Sequence, residues 1–179
     1  MNLKTSDLCD ARADIQSCQL QFMSFGRRPA FAGFIHTVRY DEGMNIIKRV
    51  ANQPAHDQVL VIDGAGSRSF ALFGDRMAEI VLRNGWAGVV VNGVIRDCEE
   101  IDAMDIGVKA LGTVPNRPSL AGEGTSDITV TFGEVSFIPG RRLVADRDGL
   151  VVLPEGLTEA DIPVADAIAA TAAYLAGSS

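Results

Sequence analysis

Cysteine and histidine are scarce in this chain, three and two among 179 residues. Cys9, Cys18 and Cys98 are odd in number and contain no Cys-x-x-Cys pair. That argues against a disulfide framework and a thiolate zinc site, and predicts a reducing, cytoplasmic setting. His36 and His56 lie too far apart to suggest a His-rich zinc site. No apolar run approaches the ~18 residues of a membrane span. The opening stretch MNLKTSDLCDARAD has no apolar segment of the secretory kind. Positive charge is also in deficit: 16 Lys and Arg against 23 Asp and Glu leave a net charge of -7. Such a surface repels nucleic acid and tolerates a basic protein partner. Gly64-Ala65-Gly66-Ser67 is the nearest thing to a phosphate loop, but it completes neither GxxxxGK[ST] nor GxGxxG. It reads as packed backbone, which weakens a nucleotide-binding reading.

What is present is an ordinary globular balance, with 47% hydrophobic residues, enough for one domain with a full core over residues 1–179. Thr5-Ser6-Asp7 is placed to cap a short helix over LCDARAD. AFAGFIHTVRY (30–40), QVLVID (58–63) and 87–92 read as strands, with helices over 44–52, 74–84 and 99–104. On the helix over 74–84 the apolar face is Met77, Ala78, Val81 and Leu82. Further along, 108–113, 128–132, 135–138 and 150–153 read as short strands between Gly and Pro turns, Asp148-Gly149 marking a hairpin. The Ala-rich end is helical from about Pro163 onward. Alternating β and α elements followed by a strand-rich half predict a single α/β domain with a mixed central β-sheet flanked by helices.

The stretch GVIRDCEE, residues 93–100, ends a core strand on charges of both signs. Taken as one βαβ unit, the helix over 74–84 descends roughly 16 Å. The strand over 87–92 climbs back roughly 20 Å. Gly74-Asp75 and Arg96-Asp97 are therefore expected on one edge, together with the 64–67 loop, outside the carboxyl ends of the strands where open α/β sheets bind ligands. The helix start at Gly74, Asp75, Arg76 and Met77 offers unpaired amides and a partial positive charge. Arg96 offers a fork of donors for a carboxylate or enolate oxygen. Asp97, Glu100 and Asp75 are hard oxygen ligands for Mg²⁺ or Mn²⁺. An α-keto acid chelating a metal uses both halves of such a cluster. Singly, each is more simply read as a surface ion pair or a first-turn acid, and only their convergence carries weight. His36 and Trp86 are expected to pack. Asp146 and Asp148 are expected to stay solvated, Cys98 has no base placed beside it, and the basic runs RRP (27–29) and GRR (140–142) have no assigned role.

Asp75, twenty intervening residues and then Arg96-Asp97 give a D-x20-R-D pattern. With TSDLCDA, FAGFIHTV, VLVIDGAGS, ALFGDRMAEI, NGWAGVVVNGVIRD, DIGVKALGTVP, VTFGEVSFIPG and ADRDGLVV in order, the chain resembles the class II 4-hydroxy-4-methyl-2-oxoglutarate aldolases and their relatives, the regulator of ribonuclease E activity A (RraA-like) family. The resemblance implies a swivelling β/β/α fold and a homotrimer, or a hexamer of two trimers. It implies cleavage of 4-hydroxy-4-methyl-2-oxoglutarate to pyruvate and decarboxylation of oxaloacetate with a divalent metal. By position, the amides of Gly74, Asp75, Arg76 and Met77 would hold the substrate carboxylate. Arg96 would bind the keto oxygen, Asp97 the metal directly, and Asp75 and Glu100 the metal through water. Asp75 would also hold the water that serves as base. Arg76-Met77 departs from the smaller or polar residue and Leu usual after Gly-Asp. The same resemblance leaves an alternative: a non-catalytic regulator that binds and inhibits a ribonuclease.

Overall fold

The computed structural model describes residues 4–41, 43–118 and 122–177, and the elements follow the apolar pattern. The first half contains α1 (Thr5–Ala11), β1 (Gln16–Ser17), β2 (Met23–Phe25), β3 (Phe31–Asp41), α2 (Asn45–Ala51), β4 (Gln58–Asp63), β5 (Ala71–Phe73) and α3 (Asp75–Arg83). Then come β6 (Gly88–Asn92), β7 (Val94–Ile95), α4 (Cys98–Ala103), β8 (Val108–Ala110) and β9 (Glu123–Ser126). The chain closes with β10 (Val130–Phe132), β11 (Val135–Phe137), β12 (Arg142–Ala145), β13 (Leu150–Val152) and α5 (Val164–Gly177).

The main sheet runs β1-β13-β12-β3-β4-β6-β8-β2, with β9 added beside the far half of β3. Its centre, β3-β4-β6-β8, is parallel, and the flanking pairs are antiparallel. Period-two alternation sorts the side chains of this sheet. Leu60, Ile62, Val89, Val91, Val108 and Ala110 face one core with α2, α3 and α4. Val59, Val61 and Val90 face a second core with Leu143, Phe132 and Phe137, which the β10–β11 hairpin covers. The sheet curls around this second core. Phe31 on β3 packs so closely that a Cβ on Gly88 or Gly107 would lie 2.3 Å from its ring. Lys109 on β8 is buried on the same side. Its Nζ donates to Ser24 Oγ at 2.8 Å and to the Asp146 carbonyl at the end of β12, four places away in the strand order. Burial pushes the Lys109 ammonium down from its ordinary value, against the pull of Asp146. A third core joins α1 to the outer face of β12 and β13 through Leu8, Val144, Val151 and Ile162. No helix among the described residues is long and apolar enough to cross a membrane.

Several expectations need correction. Thr5 opens α1 rather than capping it, since Lys4 holds the cap position without a side-chain bond. Thr5 instead donates through N and Oγ1 to Asp146, at 2.7 and 2.8 Å. Asp146 is therefore not solvated: it is partly buried and also accepts from the Asp148 and Gly149 amides. Leu82 is exposed, so the buried stripe of α3 is Ala78 and Val81. The basic runs acquire partners: Arg28 pairs with Asp105 at 2.8 Å, Arg141 with Glu155 at 3.7 Å, and Arg142 with both Asp57 and Glu159. Trp86 is buried, donates to the Ala51 carbonyl at 3.2 Å, and meets His36 edge to face.

Candidate active site

The βαβ unit runs from β4 through α3 to β6, but the site is not carried on the ends of those strands. After Asn92 the chain leaves the main sheet at Gly93, and β7 pairs in parallel with β5 as a separate two-stranded ladder. Phe73 lies opposite Ile95, and the Arg96 amide donates to the Phe73 carbonyl at 3.0 Å. The two strands run parallel and, past a register shift between Ala71 and Phe73, end opposite each other. Gly74-Asp75 and Arg96-Asp97 therefore emerge next to each other, as the sequence geometry requires. The 64–67 loop stays behind: the Gly64 and Gly66 amides donate to the Asn92 carbonyl, and none of its residues lines the cleft.

That cleft has a volume of about 320 Å³, the small end of the range for ligand sites. Gly74, Asp75, Arg76, Met77 and Arg96 form one side of it. Met44, Lys48, Ile80, Arg117 and Pro118 line it as well. Lys48 and Arg117 carried no signal in the sequence: one is an exposed residue on α2, the other sits in a Pro-flanked loop. Asp97 and Glu100 are not part of the wall. Asp97 lies against it, with Oδ2 3.1 Å from Arg96 Nε. Glu100 is exposed on α4.

Three details define the local chemistry. Gly74 is extended, with φ -158°, so it is not needed for backbone reasons. It is needed for space, because a Cβ there would lie 2.7 Å from Asp97 Oδ2 and 3.3 Å from Arg96 Cγ. Asp97 itself has φ 55° and ψ 43°, a left-handed conformation that Asp tolerates better than most residues but that still costs free energy. Its Oδ2 is buried and accepts no hydrogen bond from the described residues. A buried carboxylate oxygen left without a donor is costly and fits a hard cation.

At the start of α3, the Arg76 amide donates to Asp75 Oδ1 at 2.7 Å and the Met77 amide to the Gly74 carbonyl at 3.0 Å. Gly74 and Asp75 amides have no acceptor among the described residues. A carboxylate arriving at this helix end meets those two first, and reaches the Arg76 amide by displacing the Asp75 side chain. Among the described residues no three His, Cys, Asp or Glu side chains gather as a ready-made ligand set. A donor set this sparse would suit only a cation such as Mg²⁺, which takes one or two protein carboxylates and completes its shell from water and substrate.

The Aldolase/RraA family model, RraA-like, matches residues 5–152. A solved structure described as S-adenosylmethionine:2-dimethylmenaquinone methyltransferase from Geobacillus kaustophilus HTA426 is 44% identical, with TM-score 0.83 over 87% of this chain and 97% of that one. The RNA-processing inhibitor RraA from Thermus thermophilis is 37% identical, with TM-score 0.83 over 90% and 99%. RraAS2 from Streptomyces coelicolor, described as an unusual member of the RNase ES inhibitor RraA family, is 28% identical, with TM-score 0.64 over 78% and 73%.

Proposed function

We propose, from the premise that this chain belongs to the RraA-like (Aldolase/RraA) family, that it is a divalent-metal-dependent carbon–carbon lyase for short α-keto acids. Its reactions are cleavage of 4-hydroxy-4-methyl-2-oxoglutarate to pyruvate and decarboxylation of oxaloacetate, both through a pyruvate enolate. The observation that carries this reading is the buried, donor-free Asp97 Oδ2 beside Arg96, at the cleft where α3 begins.

In this reading the amides at Gly74 and Asp75, joined by those of Arg76 and Met77, hold the substrate carboxylate. The positive end of α3 favours that charge. Arg96 donates to the keto oxygen and stabilises the negative charge that grows there as the carbon–carbon bond breaks. Asp97 would hold a divalent cation such as Mg²⁺ or Mn²⁺, with Asp75 and Glu100 contributing through water, and that cation would supply Lewis acidity. Asp75, once freed from the Arg76 amide, holds the water that takes the proton of the 4-hydroxyl. Decarboxylation needs no such base, so it is the reaction less dependent on Asp75. The active form is a cytoplasmic homotrimer, or two trimers paired, and light scattering of the purified protein measures that.

The decisive experiment follows oxaloacetate decay with Mg²⁺, with and without chelator, for the native protein and Asp97→Ala. Turnover that needs metal, is inhibited by oxalate and is lost in Asp97→Ala supports the lyase. Normal turnover by purified Asp97→Ala removes the site assignment. A second reading has one observation in its favour: the relative from Thermus thermophilis is an RNA-processing inhibitor, and a net charge of -7 suits a basic partner. No turnover, together with inhibition of a ribonuclease by stoichiometric binding, would establish it.

A further inference from the structure

Four of the chain's cations converge on one small cleft, although acids outnumber bases in the protein as a whole. Arg96 is paired with Asp97. Arg76, Lys48 and Arg117 are exposed and make no ion pair among the described residues. Other cations, such as Arg49 and Arg83, also make no ion pair among the described residues, but they do not line this cleft, so it is the convergence that sets these three apart. Unpaired cations gathered around a concave site leave a positive potential that an anionic ligand neutralises.

These cations come from separate elements. Arg96 follows β7 and lies beside Gly74 and Asp97, where the keto-carboxylate end is read. Lys48 comes from α2 and Arg117 from the loop after β8. Met44, Met77 and Ile80 add apolar wall to the same cleft. With one carboxylate held at the Arg96 end, Lys48 and Arg117 remain on the same cleft without an acid, and a ligand with a second carboxylate would supply it. Lys48 and Arg117 are both long side chains with freely turning charged ends, suited to a carboxylate at the far end of such a ligand.

We infer that Lys48 and Arg117 form a distal carboxylate subsite that makes this cleft select keto acids with two carboxylates over those with one. The inference rests on the keto-acid reading of the Arg96 end and adds the residues that set specificity at the other. Arg76, on the first turn of α3, lines the same cleft: its amide belongs to the first subsite, and its side chain adds to the field of the cleft.

The test uses Lys48→Met, Arg117→Met and the double variant, all at exposed positions where folding is checked by circular dichroism and melting. With Mg²⁺ present, KM for oxaloacetate should rise about tenfold in each single variant, the scale of losing one contact to a charged group. Inhibition by pyruvate, which has only the first carboxylate, should keep the native constant. An unchanged KM for oxaloacetate overturns the subsite, and so does an equal loss for pyruvate, which would mean a general loss of positive potential. Binding is read separately by thermal shift with 2-oxoglutarate and with pyruvate. If the native protein turns over nothing yet prefers 2-oxoglutarate, and the double variant loses that preference, the subsite stands while the lyase reading falls. If the native protein shows no preference between them, the subsite is wrong whatever the turnover.

Discussion

Asp97 Oδ2 lies 3.1 Å from Arg96 Nε, yet it is a buried oxygen that accepts no hydrogen bond from the described residues. The two charges are close enough to attract and badly placed to bond. A cation on that oxygen would complete its shell and leave Arg96 free to turn toward a ligand. Both residues are about one-third exposed at the side chain, so the pair contributes little to stability for its own sake. Replacing Arg96 by Ala should therefore reduce oxaloacetate turnover about a hundredfold, the ~3 kcal/mol typical of one oxyanion donor. Melting temperature should hardly move. Loss of fold in place of activity would mark the pair as structural.

Gly74→Ala separates space from backbone freedom. Its extended φ suits any residue, but the added Cβ would lie 2.7 Å from Asp97 Oδ2. Either the carboxylate or the start of α3 must shift. The expected effect is about 1–3 kcal/mol of misfit, read as roughly a tenfold to hundredfold fall in kcat/KM. Tm should drop by about 2–4 °C for each kcal/mol of that misfit in a chain of this size. Native-like kinetics in this variant would place the chemistry elsewhere.

Arg142 ties the sheet to the segment that precedes α5. Its Nε and Nη2 donate to Glu159 at 2.8 and 3.1 Å, Nη1 to Asp57 at 2.5 Å, and its guanidinium lies 5.0 Å from the Phe34 ring centroid. Arg142 and Glu159 are largely buried at the side chain, 12% and 16% exposed. Arg142→Ala should cost about 3 kcal/mol of unfolding free energy in urea, the lower end for breaking a buried pair. Glu159→Gln should cost less, because Asp57 remains. Equal costs would mean that Asp57 carries no share.

Asp146 sets an acid limit. Burial alone would raise its carboxyl, but donation from the Thr5 amide and hydroxyl and from the Asp148 and Gly149 amides outweighs that and holds it below the usual carboxylate range. A depressed folded-state value means that the unfolded chain binds the proton first. The stabilisation is complete above the ordinary carboxylate pKa near ~3.9 and disappears as pH falls through the lower folded value. The slope of stability against pH below about 4 should flatten in Asp146→Asn. An unchanged slope, measured by melting across the acid range, would show that Thr5 contributes no such linkage.

Much of this was legible before any coordinates. QVLVID, the helix after Gly74 and the strand before Asn92 are long enough, and periodic enough, to be read directly. The convergence of Gly74-Asp75 with Arg96-Asp97 followed from their lengths alone. The pair β5 and β7 did not. Three and two residues long, they have no periodicity, and only their mutual pairing makes them strands. β12 was hidden behind Arg141-Arg142, whose charges read as turn until Asp57, Glu155 and Glu159 were placed around them. Asp146 looked like a turn acid because its decisive partner, Thr5, is 141 residues away. Lys48 and Arg117 were invisible for a similar reason: a lone exposed cation reads as solvated until the fold shows what surrounds it.

The β5–β7 ladder has a broader meaning. The candidate site residues follow the ends of the short β5–β7 ladder, whose own residues Leu72, Phe73 and Ile95 are buried in the main core, and the central strands carry none of them. Gly74, Asp75, Arg96 and Asp97 lie just past those buried residues, so the chemistry offered there can change while the core beneath keeps its packing. A single architecture shared by relatives described in such different terms is what that division of labour allows.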